Sequence, residues 1–375
     1  SDHILFPIRL AAADGGDARQ LNAASAIWAR SRGDVSPQEL TEFYRNSLGA
    51  FDDPALTLHY RAEGLSEYSV LLFAPATKPF DLYDPARKGR IKLYVRRVFI
   101  SDDADLLPGY LRFMRGVVDS QDLPLNISRE MLQKNPAVAA IKKAVTNRVL
   151  AELKGYAEKD AEPYVGWWKL FGGVLKEGLY EDPPRRDLLL ELVRFRTSES
   201  GDDWRSLKDY VAAMKPGQAA IYYLAGESHE RLAASPQLEG FRARGIEVIL
   251  FTDPVDNFWV TTTLGYDKKP LQSVSRGDAD LSAIPLKDAA ATPRPEDAAI
   301  AGSLVGELKR CLNEAIGDVV VSKRLVDSPA CLVAPGDGPD RGLERLLSRQ
   351  DQGTGMLPNL EINLGHPVVQ ALARL

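Results

Sequence analysis

The chain has 375 residues, of which 45% are hydrophobic and 26% charged. These fractions are ordinary for a folded globular protein and exclude disorder as the general state of the chain. At roughly 150 residues per domain, the length predicts two or three domains. The formal net charge of −5 argues against broad, non-specific binding to nucleic acid.

The cysteine content and the hydropathy pattern bear on the cellular compartment. The two cysteines, Cys311 and Cys331, fit no metal-binding or disulfide spacing, and we expect both to be small buried side chains. No apolar run approaches the roughly 18 residues of a membrane span, and no secretory leader is visible. The chain starts in a strand-like segment, as expected for part of a longer protein. We therefore expect a cytoplasmic protein that does not enter a membrane.

The first half of the chain shows helical and strand-like patterns. Ser36 is suited to cap a helix that begins at Pro37, and an apolar stripe continues to Leu48. After Pro136, apolar residues recur at helical spacing and predict a helix with one core face: Val138, Ile141, Val145, Val149 and Leu153. The other predicted elements are a buried strand over 68–74, a half-buried strand over 91–100 and a helix over 106–118.

In the second half, two predicted helices precede a β-α-β pattern. The helices cover residues 161–178 and 184–196. A strand over 219–224, a helix over 229–244 and an apolar strand over 246–252 then predict a small sheet covered by helices.

Residues 285–296, rich in Ala, Asp, Pro and Thr, are typical of a linker. Beyond them we predict a helix over 299–316, a strand beginning at 319–321 and a loop over 336–340. The complete set of elements predicts an α/β (α+β) fold.

The common catalytic motifs are absent. The sequence contains no GxxxxGK[ST], HExxH, GxSxG or strand-linked GxGxxG motif, and its four histidines are scattered. We therefore predict no metal site, and the chain alone does not resemble a complete enzyme. The basic residues between positions 87 and 97 are explained by the solvent face of a strand rather than by nucleic-acid binding.

One segment, DLPLNISREMLQ (122–133), is chemically informative. Asn126 or Ser128 can cap a helix whose first turn contains Arg129, and Gln133 lies one helical turn further on the same face. A cation at a helix start is disfavoured by about 0.3–1 kcal/mol unless an anion lies nearby. The arginine, the helix start and the amide together could clasp a terminal phosphate.

The residues leave an alternative for this segment. Arg129 can also pair with Asp119, Asp122 or Glu130 on a solvated surface. Spacing does not decide between an ion pair and phosphate binding.

Aromatic residues form three further groups. Trp167, Trp168 and Phe171 lie on a predicted helix, and we expect them to be core residues. Trp28 and the pair Phe258–Trp259 have loop-like neighbours, so both core packing and an exposed interaction role stay open for them.

Several long segments resemble the HtpG family, the bacterial ninety-kilodalton heat-shock chaperones. The stretch IKLYVRRVFISDDADLLPGYLRFMRGVVDSQDLPLNISREMLQKN (91–135) is similar to the middle-domain signature of that family nearly position for position. Further similar segments are PFDLYDP (79–85), LKDYVAAMKPGQAAIYYLAGES (207–228), FTDPVDNFWVTTTLGYDKKPLQSV (251–274), VSKRLVDSPACLV (321–333) and LEINLGHP (360–367). The resemblance covers essentially the whole chain.

The resemblance implies a domain organisation. The family has an N-terminal ATP-binding domain, a middle domain and a C-terminal dimerisation domain. For this chain it implies two α/β/α layered units joined by a short helical connector, followed by a partial mixed α+β C-terminal domain. The expected parts are a large α/β/α part (1–154), a connector (155–215), a small α/β/α part (216–284) and a C-terminal domain without its dimerisation helices (285–375).

The resemblance also implies a role in ATP hydrolysis. In the family, the arginine of the LNxSREMLQ motif contacts the γ-phosphate of ATP that is held by the N-terminal domain. This role falls to Arg129, with Asn126 and Gln133 as supporting polar residues. ATP with Mg is expected in the N-terminal domain of the whole protein and no cofactor in this chain. We therefore expect the chain alone to be inactive in ATP hydrolysis.

The implied partners are unfolded or partly folded client proteins and the protein's own N-terminal ATPase domain. Trp28, Asn257, Phe258 and Trp259 match regions that are implicated in client binding. A homodimer is implied for the whole protein, whereas dimerisation of this chain through the missing helices is not expected. Two other functions stay open: a protein-interaction scaffold with no catalytic contribution, and a stand-alone enzyme with an unrecognised carboxylate site.

Overall fold

The computed structural model describes most of the chain as two compact units, Ser1–Gly178 and Leu179–Leu375. The described residues are 9–10, 19–20, 26–64, 66–84, 87, 89–102, 104–125, 129–287, 298–336, 338–349 and 352–374, without the side chains of 9, 10, 19, 20, 129, 131, 133 and 298–301. Among these residues, no helix is long and apolar enough to cross a membrane.

The first unit contains a five-stranded mixed sheet with helices. Its elements are β1 (Arg9–Leu10), β2 (Arg19–Gln20), α1 (Pro37–Leu48), β3 (Pro54–Ala62), β4 (Tyr68–Pro75), β5 (Arg90–Val95), β6 (Val98–Ser101), β7 (Arg115–Ser120), α2 (Arg129–Lys134), α3 (Pro136–Lys159) and α4 (Ala161–Glu181), the last of which ends in the second unit. The strand order is β3-β4-β7-β5-β6, and β1 pairs with β2 in a separate ribbon. Strands β5 and β7 are parallel, whereas the other neighbours are antiparallel.

Helix α1 begins and ends as its sequence predicts. The Ser36 hydroxyl accepts the backbone N–H of Glu39 at 3.2 Å, and the Glu39 carboxylate accepts the backbone N–H of Ser36 at 2.8 Å. This reciprocal capping box satisfies two donors of the helix start, and Pro37 occupies the first turn. Gly49 ends the helix at φ 62°, in the left-handed region. The apolar face, which includes the buried Tyr44, packs on the sheet.

The predicted helix over residues 106–118 is wrong. The chain forms one 3-10 turn at Gly109–Leu111 and then strand β7. All six residues of β7 are buried because the strand lies between β4 and β5, which satisfy its backbone groups on both sides. The Gly116 backbone lies so close to β4 that a Cβ there would be 2.1 Å from the carbonyl oxygen of Leu71.

The predicted single strand over residues 91–100 is a hairpin. Strand β5 ends at Val95, Arg96 and Arg97 form the turn, and β6 pairs antiparallel with β5. Both turn residues have positive φ. The predicted strand over residues 68–74 is confirmed as β4, which is buried along its whole length.

The two long helices of the first unit are confirmed. Helix α3 begins at Pro136, and its predicted core face is buried: Val138, Ile141, Val145, Val149 and Leu153. On α4, Trp167, Trp168 and Phe171 are each at most 3% exposed, so their expected core packing is confirmed. Phe113 packs against Trp167 and Phe171 at ring-centroid distances of 5.3 and 5.1 Å.

The second unit contains two further sheets. Its elements are α5 (Arg186–Leu192), β8 (Arg196–Thr197), α6 (Leu207–Ala213), β9 (Ile221–Ala225), α7 (His229–Ala233), α8 (Glu239–Arg242), β10 (Ile249–Phe251), α9 (Asp256–Thr262), β11 (Gly265–Tyr266), β12 (Lys269–Ser273), α10 (Ala298–Leu312), β13 (Val319–Val321), β14 (Ala330–Val333), α11 (Arg341–Ser348), β15 (Asn359–Ile362) and α12 (Pro367–Leu372). The sheet orders are β11-β12-β9-β10-β8 and β13-β15-β14.

The predicted β-α-β pattern is confirmed in type, with shorter elements. Strands β9 and β10 are parallel neighbours. The helix predicted over residues 229–244 is interrupted, because Pro236 starts a 3-10 turn between α7 and α8. The helix predicted over residues 184–196 was too long, since α5 ends at Leu192 and Arg196 belongs to β8.

The C-terminal elements agree with the sequence pattern. Helix α10, strand β13 and the loop around Gly338 lie where they were predicted, and only residues 285–287 of the predicted linker are among the described ones. The α/β (α+β) fold class is confirmed, while the four-part division of the chain stays a prediction.

The expectation of two buried cysteines is wrong for Cys311, which is exposed on α10. Cys331 is partly buried on β14, 3.6 Å from the carboxylate of Glu361. Burial, with the neighbouring negative charge of Glu361, raises the pKa of the Cys331 thiol to about 12.

The capping box of α1 gives a prediction on stability and pH. The backbone N–H of Ser36, with Arg30, lowers the pKa of Glu39 to about 2. A lowered carboxyl pKa contributes stability above the unfolded pKa, and this stability is lost as the pH falls through the folded value. Ser36→Ala is expected to lower the free energy of unfolding by about 1 kcal/mol at neutral pH, because the backbone N–H of Glu39 loses its acceptor. The variant also removes the hydrogen bond from the Ser36 hydroxyl to the Glu39 carboxylate, and only this part of the loss should shrink towards pH 2.

Urea denaturation of the chain across this pH range measures the effect. Ser31→Ala is the matched control, because Ser31 precedes a 3-10 turn without a side-chain cap. Equal losses in the two variants would contradict the assigned role of the capping box.

Candidate functional site

In the sequence, the segment DLPLNISREMLQ (122–133) follows the C-terminal end of β7. This end lies beside the end of the parallel strand β5, where Val95 and Ser120 are register partners. The Ser120 hydroxyl accepts the backbone N–H groups of Asp122 and Leu123, both at 3.3 Å, and Leu123 is buried. Ser120 therefore fixes the backbone of residues 121–123 as the chain leaves the sheet, and α2 begins at Arg129, where the sequence predicted a helix start.

Only part of the predicted phosphate clasp lies within the described residues. Asn126 lies outside them, and for Arg129 and Gln133 the backbone is described and the side chains are not. Leu132 of α2 is buried. The side chain of Asn135 accepts the first backbone N–H groups of α3 at 2.8 and 3.4 Å, so α2 is followed at once by a capped helix.

Two of the acids that the sequence offered as partners of Arg129 have contacts of their own. Asp122 accepts the backbone N–H of Glu67 at 2.6 Å. Glu130 is exposed and lies 3.4 Å from the ammonium group of Lys134, one helical turn away. The first contact ties the segment to the start of β4, whereas the second is a surface ion pair that contributes little to stability.

The third acid, Asp119 of β7, is hydrogen-bonded to Trp28 and to the turn at Arg97. Its side chain is on β7 and the residue is 1% exposed. One carboxylate oxygen accepts the indole N–H of Trp28 at 2.9 Å, and the other accepts the backbone N–H of Arg97 at 3.1 Å. Since a buried carboxylate is tolerated only when it is hydrogen-bonded, these donors and Asp119 stabilise one another.

An exposed interaction role for Trp28 is wrong in this conformation. The residue is 5% exposed, and its ring lies 4.7 Å from that of Tyr94 and 5.9 Å from that of Phe43. Its small and polar sequence neighbours gave no sign of this burial, because Asp119 and Tyr94 are distant in the chain. Trp28 therefore offers almost no surface to a client protein.

The three residues of α9 that were predicted to bind clients, Asn257, Phe258 and Trp259, have different environments. Trp259 is fully buried and donates its indole N–H to Asp256 at 2.8 Å, so an exposed role is wrong for it. Asn257 is 9% exposed, and its amide oxygen lies against Gly342 of α11. Phe258 is 37% exposed because it lies on the opposite side of the helix. Of the three, Phe258 has a side chain available to a partner.

Phe258 has an aromatic neighbour in the same unit. The ring of Tyr180, which is 53% exposed, lies 6.4 Å from that of Phe258 in an edge-to-face arrangement. Two adjacent exposed rings make a small apolar surface.

The sequence reasoning missed two exposed phenylalanines in the first unit. Phe51 and Phe80 are both fully exposed. The carboxylate of Asp52 accepts the backbone N–H groups of Ala76 and Thr77 at 2.8 and 2.9 Å, which fixes the loop containing Phe51 beside the end of β4. The sequence did contain a sign of this exposure. Both phenylalanines have Asp and Pro residues as neighbours, and neither belongs to an apolar pattern.

Comparison with known proteins identifies the family. The Hsp90 protein family model matches residues 12–375. Proteins called chaperone protein HtpG are similar over the full chain: 54% identical over 378 residues in Mesorhizobium japonicum, 53% over 374 residues in Rhodopseudomonas palustris strain BisA53 and 52% over 376 residues in Rhizobium meliloti. The chain belongs to the Hsp90 family. It spans about 60% of the length of these relatives.

This membership confirms the resemblance that the motifs indicated. In this Hsp90-family chain, Asp119 of β7 holds Trp28 and the turn at Arg97 at the end of β7 that lies beside β5. The β5/β7 edge is the edge of the sheet formed by the C-terminal ends of β5 and β7 and by residues 121–125.

The buried hydrogen bond of Trp28 gives a prediction on stability. Trp28→Phe keeps an aromatic ring but removes the donor to Asp119, and it should lower the free energy of unfolding by about 1–3 kcal/mol because a buried carboxylate loses a partner. Denaturant unfolding of the chain measures this change.

The double variant Trp28→Phe/Asp119→Ala is the control. If the hydrogen bond is responsible, the two single effects will not add, because both variants remove the same contact. Strict additivity would show that Trp28 stabilises the chain through ring packing alone.

Proposed function

We propose that the chain is part of an ATP-driven molecular chaperone that acts on unfolded or partly folded client proteins in the cytoplasm. The observation that carries this proposal is the Hsp90 family match over residues 12–375. The relatives named above are called chaperones. The whole protein would act as a homodimer.

The proposed contribution of this chain to ATP hydrolysis is the guanidinium group of Arg129. ATP with Mg would be held by a nucleotide-binding domain of the whole protein, and Arg129 would reach the γ-phosphate. A guanidinium suits this contact because its charge is permanent and its paired N–H groups match two phosphate oxygens. Asn126 and Gln133 would supply neutral hydrogen-bonding groups beside it.

Hydrogen bonds that fix the backbone at the β5/β7 edge support the proposed role of Arg129. A residue that stabilises charge in a transition state must be held in place before the reaction, because reorganisation during the reaction costs free energy. The buried Leu123 and the Ser120 hydroxyl hold the backbone at the end of β7, and Asn135 caps the start of α3. Docking of the nucleotide-binding domain onto this edge would then complete the ATPase site.

The proposed client contact in the second unit is Phe258 with its neighbour Tyr180. Partly unfolded chains expose apolar side chains without a common sequence, and apolar contact recognises them without requiring fixed hydrogen-bond geometry. The exposure of both rings supports this assignment. Trp28, Asn257 and Trp259 would then act indirectly, by holding the local structure.

Replacing the arginine tests the catalytic part of the proposal. In the whole protein, Arg129→Ala is expected to leave ATP affinity nearly unchanged and to lower kcat by roughly 10²-fold or more, since one charge-stabilising donor is lost. Steady-state phosphate release and equilibrium nucleotide binding measure the two quantities. Lys134→Ala is the matched control, because Lys134 is an exposed cation on the same helix.

An unchanged kcat in Arg129→Ala would remove this residue from the mechanism and favour the scaffold alternative. The chain without the nucleotide-binding domain serves as a second control, and it should release no phosphate above the buffer background.

Phe258→Ser tests the client contact. Removing a partly exposed apolar ring should weaken binding of a chemically unfolded model protein by about three- to tenfold, with little change in the melting temperature of the chain. Fluorescence anisotropy with a labelled client measures the affinity. Phe51→Ser is the matched control in the first unit, and equal losses in both variants would argue against a specific site at Phe258.

A further inference from the structure

A small cavity, called the β5 cavity, lies beside the start of β5 in the first unit. Its volume is about 240 Å³, it is partly open to solvent, and its walls come from Arg87, Gly89, Ile91 and the segment 104–114 that leads into β7. Most of the lining side chains are apolar, namely Ile91, Ala104, Leu107, Pro108, Leu111 and Met114. The β5 cavity has room for a ligand of only a few non-hydrogen atoms, because pockets for drug-sized ligands measure about 300–1,000 Å³.

Three charged residues also line the β5 cavity, and two of them have an ion-pair partner of their own. Arg112 donates to both carboxylate oxygens of Glu177, at 2.5 and 2.9 Å. Asp105 accepts the ammonium group of Lys142 at 2.7 Å. The third charged residue, Arg87, differs from them in its hydrogen bonds and in its charge balance.

The hydrogen bonds of the Arg87 guanidinium group are incomplete. The side chain is 1% exposed. Its Nη1 donates to Asp81, and its Nε lies 3.4 Å from the carbonyl oxygen of Arg112. Its Nη2 is buried and has no hydrogen-bond partner among the residues that the structure describes. Because a buried donor without an acceptor costs free energy, this nitrogen indicates an acceptor from outside the chain, either a water molecule or a bound anion.

The charge around Arg87 favours an anion over a water molecule. Asp81 is the carboxylate that Arg87 contacts, and Arg90 donates to the other oxygen of the same carboxylate at 2.9 Å. Two guanidinium groups thus share one negative charge. Burial lowers the pKa of Arg87, the like charges of Arg90 and Arg115 lower it further, and Asp81 offsets only part of this effect. A second negative charge beside Arg87 would compensate the remaining positive charge.

We propose that the β5 cavity binds a small organic acid with a short hydrocarbon chain, whose carboxylate pairs with Arg87. The planar guanidinium group matches the two oxygens of a carboxylate. The hydrocarbon chain would cover the apolar walls at Ile91, Leu111 and Met114, which inorganic phosphate leaves without a partner. This inference does not depend on the proposed function.

Fluorine NMR with trifluorobutanoate, which has its three fluorines on the terminal carbon, tests this site. Titration of the chain should give a saturable shift with a dissociation constant on the order of 1 mM, as expected for so small a ligand. The neutral amide of the same acid should bind roughly tenfold more weakly, because it cannot form a charge-assisted hydrogen bond with Arg87. Inorganic phosphate should displace the probe only at higher concentrations than unlabelled butanoate.

Two variants locate the binding. Arg87→Leu removes the guanidinium group, and the probe should then bind no better than its amide. Gly89→Leu adds a side chain to the wall of the β5 cavity and should weaken binding by roughly tenfold or more. A Cβ at Gly89 meets no other atom within 4 Å, so this variant should fold normally. Arg45→Leu is the matched control, because it removes an exposed guanidinium group of α1 that pairs with Asp53, and it should bind the probe as the wild type does.

Four outcomes would overturn the inference. Equal affinity for the acid and its amide would show that the carboxylate is not recognised. Tighter binding of phosphate than of butanoate would exclude a role of the hydrocarbon chain. Unchanged binding in Gly89→Leu would place the ligand outside the β5 cavity. A shift that does not saturate, or an equal loss in Arg45→Leu and Arg87→Leu, would show only a general effect of charge.

Discussion

The structure of the β5/β7 edge depends on the hydrogen bonds of the buried Asp119 carboxylate. It lies on a central strand, with one oxygen bound to the indole of Trp28 and the other to the turn at Arg97. A carboxylate in this environment costs free energy unless both oxygens are hydrogen-bonded, so the side chain requires its two partners as much as they require it. The parallel pairing of β5 with β7 brings these groups together.

This arrangement has a consequence for function. A chain that contributes one guanidinium to a phosphate on another domain must hold that group at a fixed place and leave the approach open. At the β5/β7 edge, buried contacts hold the backbone of residues 119–123. The proposed function assigns charge stabilisation to Arg129.

The second unit also uses carboxylates to join distant segments. Glu239 of α8 accepts the backbone N–H groups of Val326, Asp327 and Ser328 at 2.8, 2.9 and 3.1 Å. Although burial opposes it, the hydrogen bonds from Ser328 and from this backbone lower the pKa of Glu239. Arg324, which is 5% exposed, pairs with Glu361 and also donates to the carbonyl of Val274. The sheet β13-β15-β14 is thus tied to the sheet that contains β9 by polar contacts as well as by packing.

The sequence by itself determined the features that depend on neighbouring residues. Helix α1 and its cap at Ser36, the core face of α3, the helix start at Arg129 and the family all followed from local patterns or from the long similar segments. These predictions succeeded because a cap or an apolar stripe involves residues only a few positions apart.

Only the tertiary structure decided which strands pair and which aromatic rings are buried. Residues 115–120 form a strand because β4 and β5 lie on either side of them, and no local pattern contains that information. Trp28 is buried because Asp119 and Tyr94 meet it from distant parts of the chain, whereas Phe258 stays exposed on the outer side of α9. Burial depends on contacts between residues far apart in sequence, which composition and spacing do not encode.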